Sequence, residues 1–403
     1  MPTPAMDRIT RSNVLRLATA QALAGANAAV IFATGAIIGS TLAPDPAWAT
    51  VPVSVFVVGM ALGTLPAGLI ARRHGRRAAF MAGGTAGMMA GLIGAWALMA
   101  GSFWLYCVAT LCAGMYASVV QSFRFAVADG VDPAVRPRAL SWVMAGGVFA
   151  GVIGPQLVTY TMNLRPDALF AASYLAQALV AVVAMLVLSG VNLPRPAANA
   201  ARGRPLGEIV RQRSFIVAAL CGVVSYSLMN LVMTSAPLAM RLCGLPLTAS
   251  NTALQWHVVA MYGPSFFTGS LITRFGAPRV VTAGLTLLSA AAVVGLSGIT
   301  VPHFMLGLIL LGLGWNFGFV GASAMVLDSH RPEERTRVQS FNDFLVFGTM
   351  AVGSFSSGQL LQVWGWGAVN WVVFPPVALV LAVLLFSGRL RVRPTLSVAT
   401  SGA

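Results

Sequence analysis

The chain has 403 residues, 57% of them hydrophobic and 9% charged, with a mean hydropathy of +0.81; no water-soluble domain of that length carries so apolar a surface, so this is an integral membrane protein. All 25 basic residues are Arg, which excludes a phosphate-binding P-loop, whose Lys is obligatory, and Schiff-base chemistry, which needs an amine. The formal charge of +15 does not form a nucleic-acid-binding stripe, because the Arg residues stand in small groups between long apolar runs.

Residues 1–13 form a short polar leader. The apolar run that follows, 14–42, is too long for the ~7–15-residue core of a cleaved signal, so it reads as the first membrane helix. A crossing takes ~20 apolar residues, and the remainder divides at its Arg, Pro and Asp clusters into spans near 49–71, 78–100, 103–126, 139–162 and 168–190, then 214–237, 251–272, 279–299, 303–327, 338–363 and 367–388. The expected fold is all-α, with twelve transmembrane helices in two pseudo-symmetric bundles of six. The bundles are 1–191 and 214–390, joined by a polar linker at 192–213 and followed by a tail at 391–403. Cys107, Cys112, Cys221 and Cys243 lie in or beside apolar spans without metal-ligand spacing and read as packing residues; no metal or cofactor is expected.

Two motifs occur twice. The pattern Asp-x3-Pro-x2-Arg-x-Arg-x2-Ser runs from Asp129 to Ser141 and again from Asp328 to Ser340. Gly68-x4-Arg73-x-Gly75, with Arg76 and Arg77 behind it, returns as Gly269-x4-Arg274-x-Gly276 with Arg279 nearby, and Val57, Val58 and Met60 return as Val258, Val259 and Met261. Repeated order at a nearly constant offset marks an internal duplication. Six crossings per half bring both copies to the same face, and nearly every loop Arg falls there too. Arg165 and Arg241 lie opposite. The positive-inside rule makes the crowded face, with both termini, cytoplasmic.

With these features the chain resembles the major facilitator superfamily of secondary transporters over its whole length. Gly68-Leu-Ile-Ala-Arg72-Arg73-His74-Gly75-Arg76-Arg77 is similar to that family's loop signature between spans 2 and 3, and Gly269, Arg274 and Gly276 mark the copy between spans 8 and 9. The resemblance implies a monomer in a bacterial inner membrane. It also implies transport of a small organic solute by rocker-switch alternating access, with protons as a candidate partner. The departure is Arg72, where the family carries Asp. Asp343, early in span 11, offers the missing acid, so Arg72 or Arg73 is expected to pair with it and close the gate. Gly147-x3-Gly151-x2-Gly154-Pro155 in span 5 partly resembles the signature of drug/proton antiporters, but the glycine pair that ends that signature is missing; an efflux pump is therefore an alternative. Small residues spaced by four also serve helix packing.

Polar side chains in a bilayer default to being functional or paired. Gln21 and Asn27 lie on span 1, and Tyr226, Asn230 and Thr234, spaced by four, share one face of span 7. If the halves pack as in the family, both spans line a central cavity with spans 4, 8 and 10. Those add Tyr116, Gln121 and Arg124, then Trp256, His257 and Tyr262, then Trp315 and Asn316. Aromatic rings with amides and few charges suit a solute that is flat and apolar with hydrogen-bonding edges; interfacial or core packing is the competing reading for the two Trp. Arg124 is either a gate or anion partner or a side chain snorkelling to the inner surface. His257 and Asp343 are the coupling candidates, since Asp343 alone among the ten acids lies within a span. No acid cluster, metal-spaced His pair or Gly-x-Ser-x-Gly supports a membrane-embedded enzyme. A solute sensor on the same scaffold would need an output domain that the chain does not show.

Overall fold

The computed structural model describes residues 6–45, 48–129, 131–193 and 203–388. Residues 194–202 of the linker, including Arg195 and Arg202, and the tail from 389 onward, including Arg389, Arg391 and Arg393, lie outside the described residues. Among the described residues the chain is helical, with no strand. The first half holds α1 (Arg8–Leu42), α2 (Val51–His74), α3 (Arg76–Met99), α4 (Phe103–Gln121), the single turn α5 (Phe123–Ala126), α6 (Arg136–Ala145), α7 (Gly147–Thr161) and α8 (Ala171–Ser189). A short α9 (Leu206–Val210) leads into α10 (Arg213–Leu242), α11 (Leu247–Tyr262), α12 (Ser265–Phe275), α13 (Ala277–Ser297), α14 (Val301–Trp315), α15 (Gly321–Leu327), α16 (Arg335–Trp371) and α17 (Phe374–Gly388).

Local chemistry sets the helix ends. Asp7 accepts from the Thr10 amide at 2.7 Å to open α1, and Ser102 accepts from the Leu105 amide at 3.4 Å to open α4, side-chain oxygens satisfying the orphan N–H groups of a first turn. Proline occupies the first turn of α2, α6, α13 and α14, where no N–H is missed. The duplicated loops are single-residue turns: α2 meets α3 at Gly75 (φ 89°, ψ 163°), and α12 meets α13 at Gly276 (φ 84°, ψ 147°). Side chains are strained at such φ, so glycine is required twice.

Ten helical stretches among the described residues are long and apolar enough to cross a membrane, and they do not map one to one onto the twelve expected spans. Expected span 251–272 forms α11 and α12, of 16 and 11 residues, because Gly263 and Pro264 interrupt it and Pro264 has no N–H to carry the ladder on. Span 139–162 is likewise divided into α6 and α7 at Gly146. Spans 338–363 and 367–388 lie in one 55-residue stretch, Pro332–Phe386. Straight, it would reach ~80 Å, more than twice the ~30 Å hydrocarbon core; it breaks instead at Gly365 (φ 76°, ψ 178°) and turns at residues 372–373.

In the first half, α2 and α3 pack on α4, α3 on α8, and α1 on α7 and α8; in the second, α11 and α13 pack on α14, and α10 on α15. The halves meet where α2 lies along α16 and α6 along α12. Large apolar side chains such as Leu179, Leu186, Val363 and Leu385 are exposed on the outside, an apolar surface of the kind a bilayer covers. The Gly75 turn, residues 127–129 and 131–135, residues 203–212 and the 328–334 loop gather at one end of the bundle, called the basic face below.

Candidate functional site

The seam between the halves is built around an irregular helix. After α14 the chain makes a π turn at Asn316–Val320 before α15; the extra residue re-aims the side chains, as π-bulges at functional sites commonly do. Trp315 and Phe319 stack at 5.2 Å and 23°. Tyr226 of α10 stands edge-on to Trp315 (5.4 Å), Phe319 (4.9 Å) and Phe347 (5.5 Å), and Tyr262 lies 5.4 Å from Trp315. From the first half, Gln121 Nε2 donates to the Tyr226 hydroxyl at 3.0 Å. Gln121 Oε1, Trp315 Nε1 and, one turn along α10, Asn230 Nδ2 are buried without a hydrogen-bond partner, each costing about 1–3 kcal/mol while it stays so. Thr234, a further turn on, donates to the Asn230 carbonyl at 2.7 Å and contacts Ser357 Oγ at 3.3 Å.

One turn from Gln121 towards the basic face, Arg124 is fully buried. Its Nη2 donates to Asp343 Oδ1 at 2.5 Å, its Nε to Ser323 Oγ at 3.0 Å, and its Nη1 to the Gln121 carbonyl. The guanidinium lies over Phe125 (4.2 Å) and Phe319 (4.5 Å). This corrects two expectations. Arg124 does not snorkel to the surface. The acid on α16 is held by Arg124 rather than by Arg72 or Arg73, which are exposed at the end of α2; a chain end in solvent cannot supply the desolvated cation that a buried carboxylate needs, whereas Arg124, on the next helix inward, can.

Towards the basic face the two signature loops cross-pack. A Cβ on Gly68 would stand 2.1 Å from Ser340 Oγ, and one on Gly269 would stand 2.5 Å from the Pro137 carbonyl oxygen and 2.7 Å from Arg138 Cα. Each loop glycine thus meets the Asp-to-Ser motif of the opposite half, the self-complementary pattern of a pseudo-twofold axis. Arg76 Nε donates to Asp129 Oδ2 at 3.0 Å and its Nη2 to Gln339 Oε1, and Arg335 lies 3.6 Å from the same Asp129 oxygen. Arg77 and Arg274 are exposed, the latter over the Phe275 ring at 5.1 Å. Beyond them Arg204 binds Glu334 through its backbone N–H (3.0 Å), Nε (2.7 Å) and Nη2 (2.7 Å).

The other expected site residues lie apart from the seam cluster. Asn27 donates to the Ala113 carbonyl at 3.1 Å and accepts from Gln177, tying α1 to α4 and α8. Gln21 Oε1 and the Tyr116 hydroxyl are buried and unpartnered. Asn316, 200 residues after Tyr116, is instead fully bonded: to the Met261 carbonyl, Ser265 and Thr268, each at 2.6 Å, at the α11–α12 break. His257 Nδ1 bonds the Leu308 carbonyl at 2.7 Å, with Nε2 unpartnered and Asp343 not among its contacts. Trp256 is 52% exposed and not part of the cluster. Sequence reasoning passed over Phe319, Phe347, Gln177, Gln339 and Ser323. Ser323 had a signal: it stands 199 residues after Arg124, the repeat offset, and positions on the twofold axis meet their own copies.

Comparison with known proteins accords with this architecture. The sequence pattern of the Major Facilitator Superfamily matches residues 17–264 and 247–402. The riboflavin transporter RfnT of Brucella anthropi is 48% identical over 388 residues, 95% of this chain and 96% of that protein. The uncharacterized MFS-type transporter YdeG of Bacillus subtilis is 31% identical over 370 residues, 85% of this chain and 84% of that protein. Among solved structures, the proton:xylose symporter XylE superposes with a TM-score of 0.78 at 12% identity, over 95% of this chain and 96% of that one. A bacterial homologue of the iron transporter ferroportin, in an outward-facing state, superposes with a TM-score of 0.72 at 16% identity, over 95% and 100%. At such identities the likeness shows the fold alone.

Proposed function

Because this chain belongs to the Major Facilitator Superfamily and is therefore a membrane transporter of a small organic solute rather than an enzyme, we propose that its solute is riboflavin. The observation that carries this is the 48% identity with RfnT, which runs along nearly the whole of both chains. The seam supports it. A flavin is flat and uncharged at its ring, with donors and acceptors along one edge, and the Tyr226, Tyr262, Trp315 and Phe319 rings with the unpaired groups of Gln121, Trp315 and Asn230 offer complementary surfaces.

The reading extends to architecture and coupling. Twelve crossings form two six-helix halves, 1–191 and 214–390, joined by the 192–213 linker; the monomer sits in the bilayer of a bacterial inner membrane with both termini and the basic face in the cytoplasm. The halves rock about the seam, and the cross-packed glycines with the Arg124–Asp343 pair form the cytoplasmic gate, shut in this conformation. Protons drive the cycle through Asp343, the acid buried against Arg124 beside the solute cluster.

The test is uptake of labelled riboflavin by a riboflavin-auxotrophic bacterium that lacks a flavin importer. Expression of this chain is expected to restore growth on low riboflavin and to give uptake that excess unlabelled riboflavin suppresses. Uptake no greater than in cells with empty vector, with the protein present in the membrane, removes riboflavin as the solute. An imposed pH gradient in proteoliposomes then tests the proton.

A further inference from the structure

A cavity of about 20 Å³ adjoins Asp343, and neither Arg124 nor the seam rings Tyr226, Tyr262, Trp315 and Phe319 line it, though Phe125 does. It is lined by Thr64, Ser118, Ser122, Arg76, Gln339 and Ser340 among others. A water needs roughly 10–15 Å³ and two to four polar partners, and both conditions are met. Thr64, Ser118 and Ser122 spend their hydroxyl protons on carbonyls of their own helices, Ala61, Met115 and Val119, which leaves their oxygen lone pairs as acceptors. Both hydrogen bonds that Asp343 receives, from Arg124 and from Asn342 at 3.2 Å, end on Oδ1.

The surroundings give this cavity a direction. Towards the seam, Asp343 is sealed by Arg124 with Phe125 and Phe319 stacked on it, and by Tyr226 of α10. Towards the basic face the lining passes through Arg76 and Gln339, and Gln339 Nε2 donates to His330 Nε2 at 3.1 Å. His330 Nδ1 in turn donates to the Arg331 carbonyl at 3.0 Å, in a loop at the surface. That geometry fixes a neutral imidazole whose Nε2 accepts, and burial holds His330 below its ordinary value. The charged and titratable groups around Asp343 are thus Arg124 from α5, Arg76 from α3 and Tyr226 from α10, with Asp129 and Arg335 behind Arg76; α2 contributes Thr64 and Gly68 to the lining.

We propose that this cavity is a hydrated proton port, through which Asp343 exchanges protons with the basic face while the gate is shut. One proton passes from hydronium at that face through the cavity water to a carboxylate oxygen of Asp343; water is regenerated, Arg124 keeps its charge, and only O–H bonds form or break. Neutral Asp343 no longer balances Arg124, and the gate loosens from the side to which it will open. The proposal deepens the reading of Arg124–Asp343 as the gate latch and does not depend on which solute is carried.

The experiment uses the full chain, with Cys243 replaced by Ser, in oriented proteoliposomes without solute, and a fluorescent donor–acceptor pair at the exposed positions Arg77 and Arg274 reporting gate width. Acidifying the basic face alone, from about pH 7.5 to about pH 5.5, is expected to widen the gate; acidifying the opposite face alone leaves it unchanged. Asp343→Asn removes the response. Ser122→Val, which fills the cavity without touching the ion pair, slows the response several-fold and leaves its end point. A gate that follows the opposite face, that still responds in Asp343→Asn, or that responds at full speed in Ser122→Val overturns the port. Because no solute is present, failure here leaves the riboflavin reading standing, and failure of riboflavin uptake leaves the port standing.

Discussion

At the α2–α16 contact Gly68 meets Ser340, and around it lie Arg76, Asp129, Arg335 and the buried Arg124–Asp343 pair; at the α6–α12 contact Gly269 meets the backbone of Pro137 and Arg138, and the neighbouring side-chain contact is Trp142 edge-on to Phe266 at 5.5 Å. These two places are copies of one another under the duplication, related by the same offset of about two hundred residues. Their backbones still match, down to the dihedrals of Gly75 and Gly276. Their chemistry does not: 199 positions before Asp343 stands Met144, buried and uncharged. The two contacts keep one backbone plan, and the buried Arg124–Asp343 pair belongs to the α2–α16 jaw. The α2–α16 jaw has a buried titratable carboxylate beside it; the α6–α12 jaw closes on backbone at Gly269.

The largest effect should come from breaking the charged jaw. Asp343→Ala leaves Arg124 buried without a counter-charge, and removing one partner of such a pair costs about 3–5 kcal/mol. With 1.4 kcal/mol per factor of ten, the closed gate should lose about two to three and a half orders of magnitude in its equilibrium against the open one. Labelling of a cysteine placed near Ser340 by a membrane-impermeant thiol reagent from the basic face measures this as a faster rate. Adding Arg124→Leu should recover most of the loss, since an apolar pair of fitting volume often replaces a buried ion pair without penalty. A double variant as leaky as the single one would show that Arg124 acts through something other than this carboxylate.

How much of this was legible beforehand follows from what each feature rests on. The duplication, the loop glycines and the apolar spans are written in residue order, so the halves and the family could be read directly. The Arg124–Asp343 pair could not, because the two residues are 219 positions apart and the exposed Arg72 looked like the better partner on family pattern alone. The aromatic cluster was half visible: Tyr226, Tyr262 and Trp315 were expected at a cavity, while Phe319, four positions after Trp315 and so on the same helix face, is an apolar residue in an apolar span and carries no signal of its own, and nothing in a string of glycines and apolar residues announces the π turn. Asn316 and His257 looked functional by residue type, yet their hydrogen bonds go to the α11–α12 break and to a backbone carbonyl, contacts that depend on helix packing rather than on spacing.

The α6–α12 jaw should give a smaller and differently curable effect. Gly269→Ala places a methyl against backbone atoms of Pro137 and Arg138, which no side-chain rotation can clear, and overpacking of this kind typically costs about 1–3 kcal/mol. Gly68→Ala places its methyl against the Ser340 side chain, including Cβ at 2.6 Å. Transport should fall in both, and Ser340→Gly should rescue Gly68→Ala while no side-chain truncation rescues Gly269→Ala. Uptake rates at equal membrane expression decide it. Weaker still is Trp142→Ala, which removes an edge-to-face contact worth about 0.5–1.5 kcal/mol beyond its area. Its effect on gate closure should be insensitive to salt, and that of Arg76→Gln should depend on salt only weakly, because a buried pair is screened far less than an exposed one.

The smallest effect expected is that of pH on the linker clasp, and it sharpens the comparison by showing which charges are switches and which are not. Hydrogen bonds from Arg204 hold the Glu334 carboxyl down to about 2 against an ordinary 4.5, with the Arg331 amide adding to them and burial opposing. A depressed folded value means that the pair's contribution is fully present above the ordinary value and fades only as pH falls towards 2. Between about pH 5 and pH 8 the Arg204–Glu334 clasp should therefore not respond, and protease cleavage of the 192–213 linker in the purified protein should be flat across that range. Glu334→Gln should raise the cleavage rate a few-fold at every pH in it. If cleavage instead rises between pH 7 and pH 5 in the native chain, the clasp titrates along with the gate, and Asp343 is not the only proton-sensitive contact between the linker, α16 and the basic face.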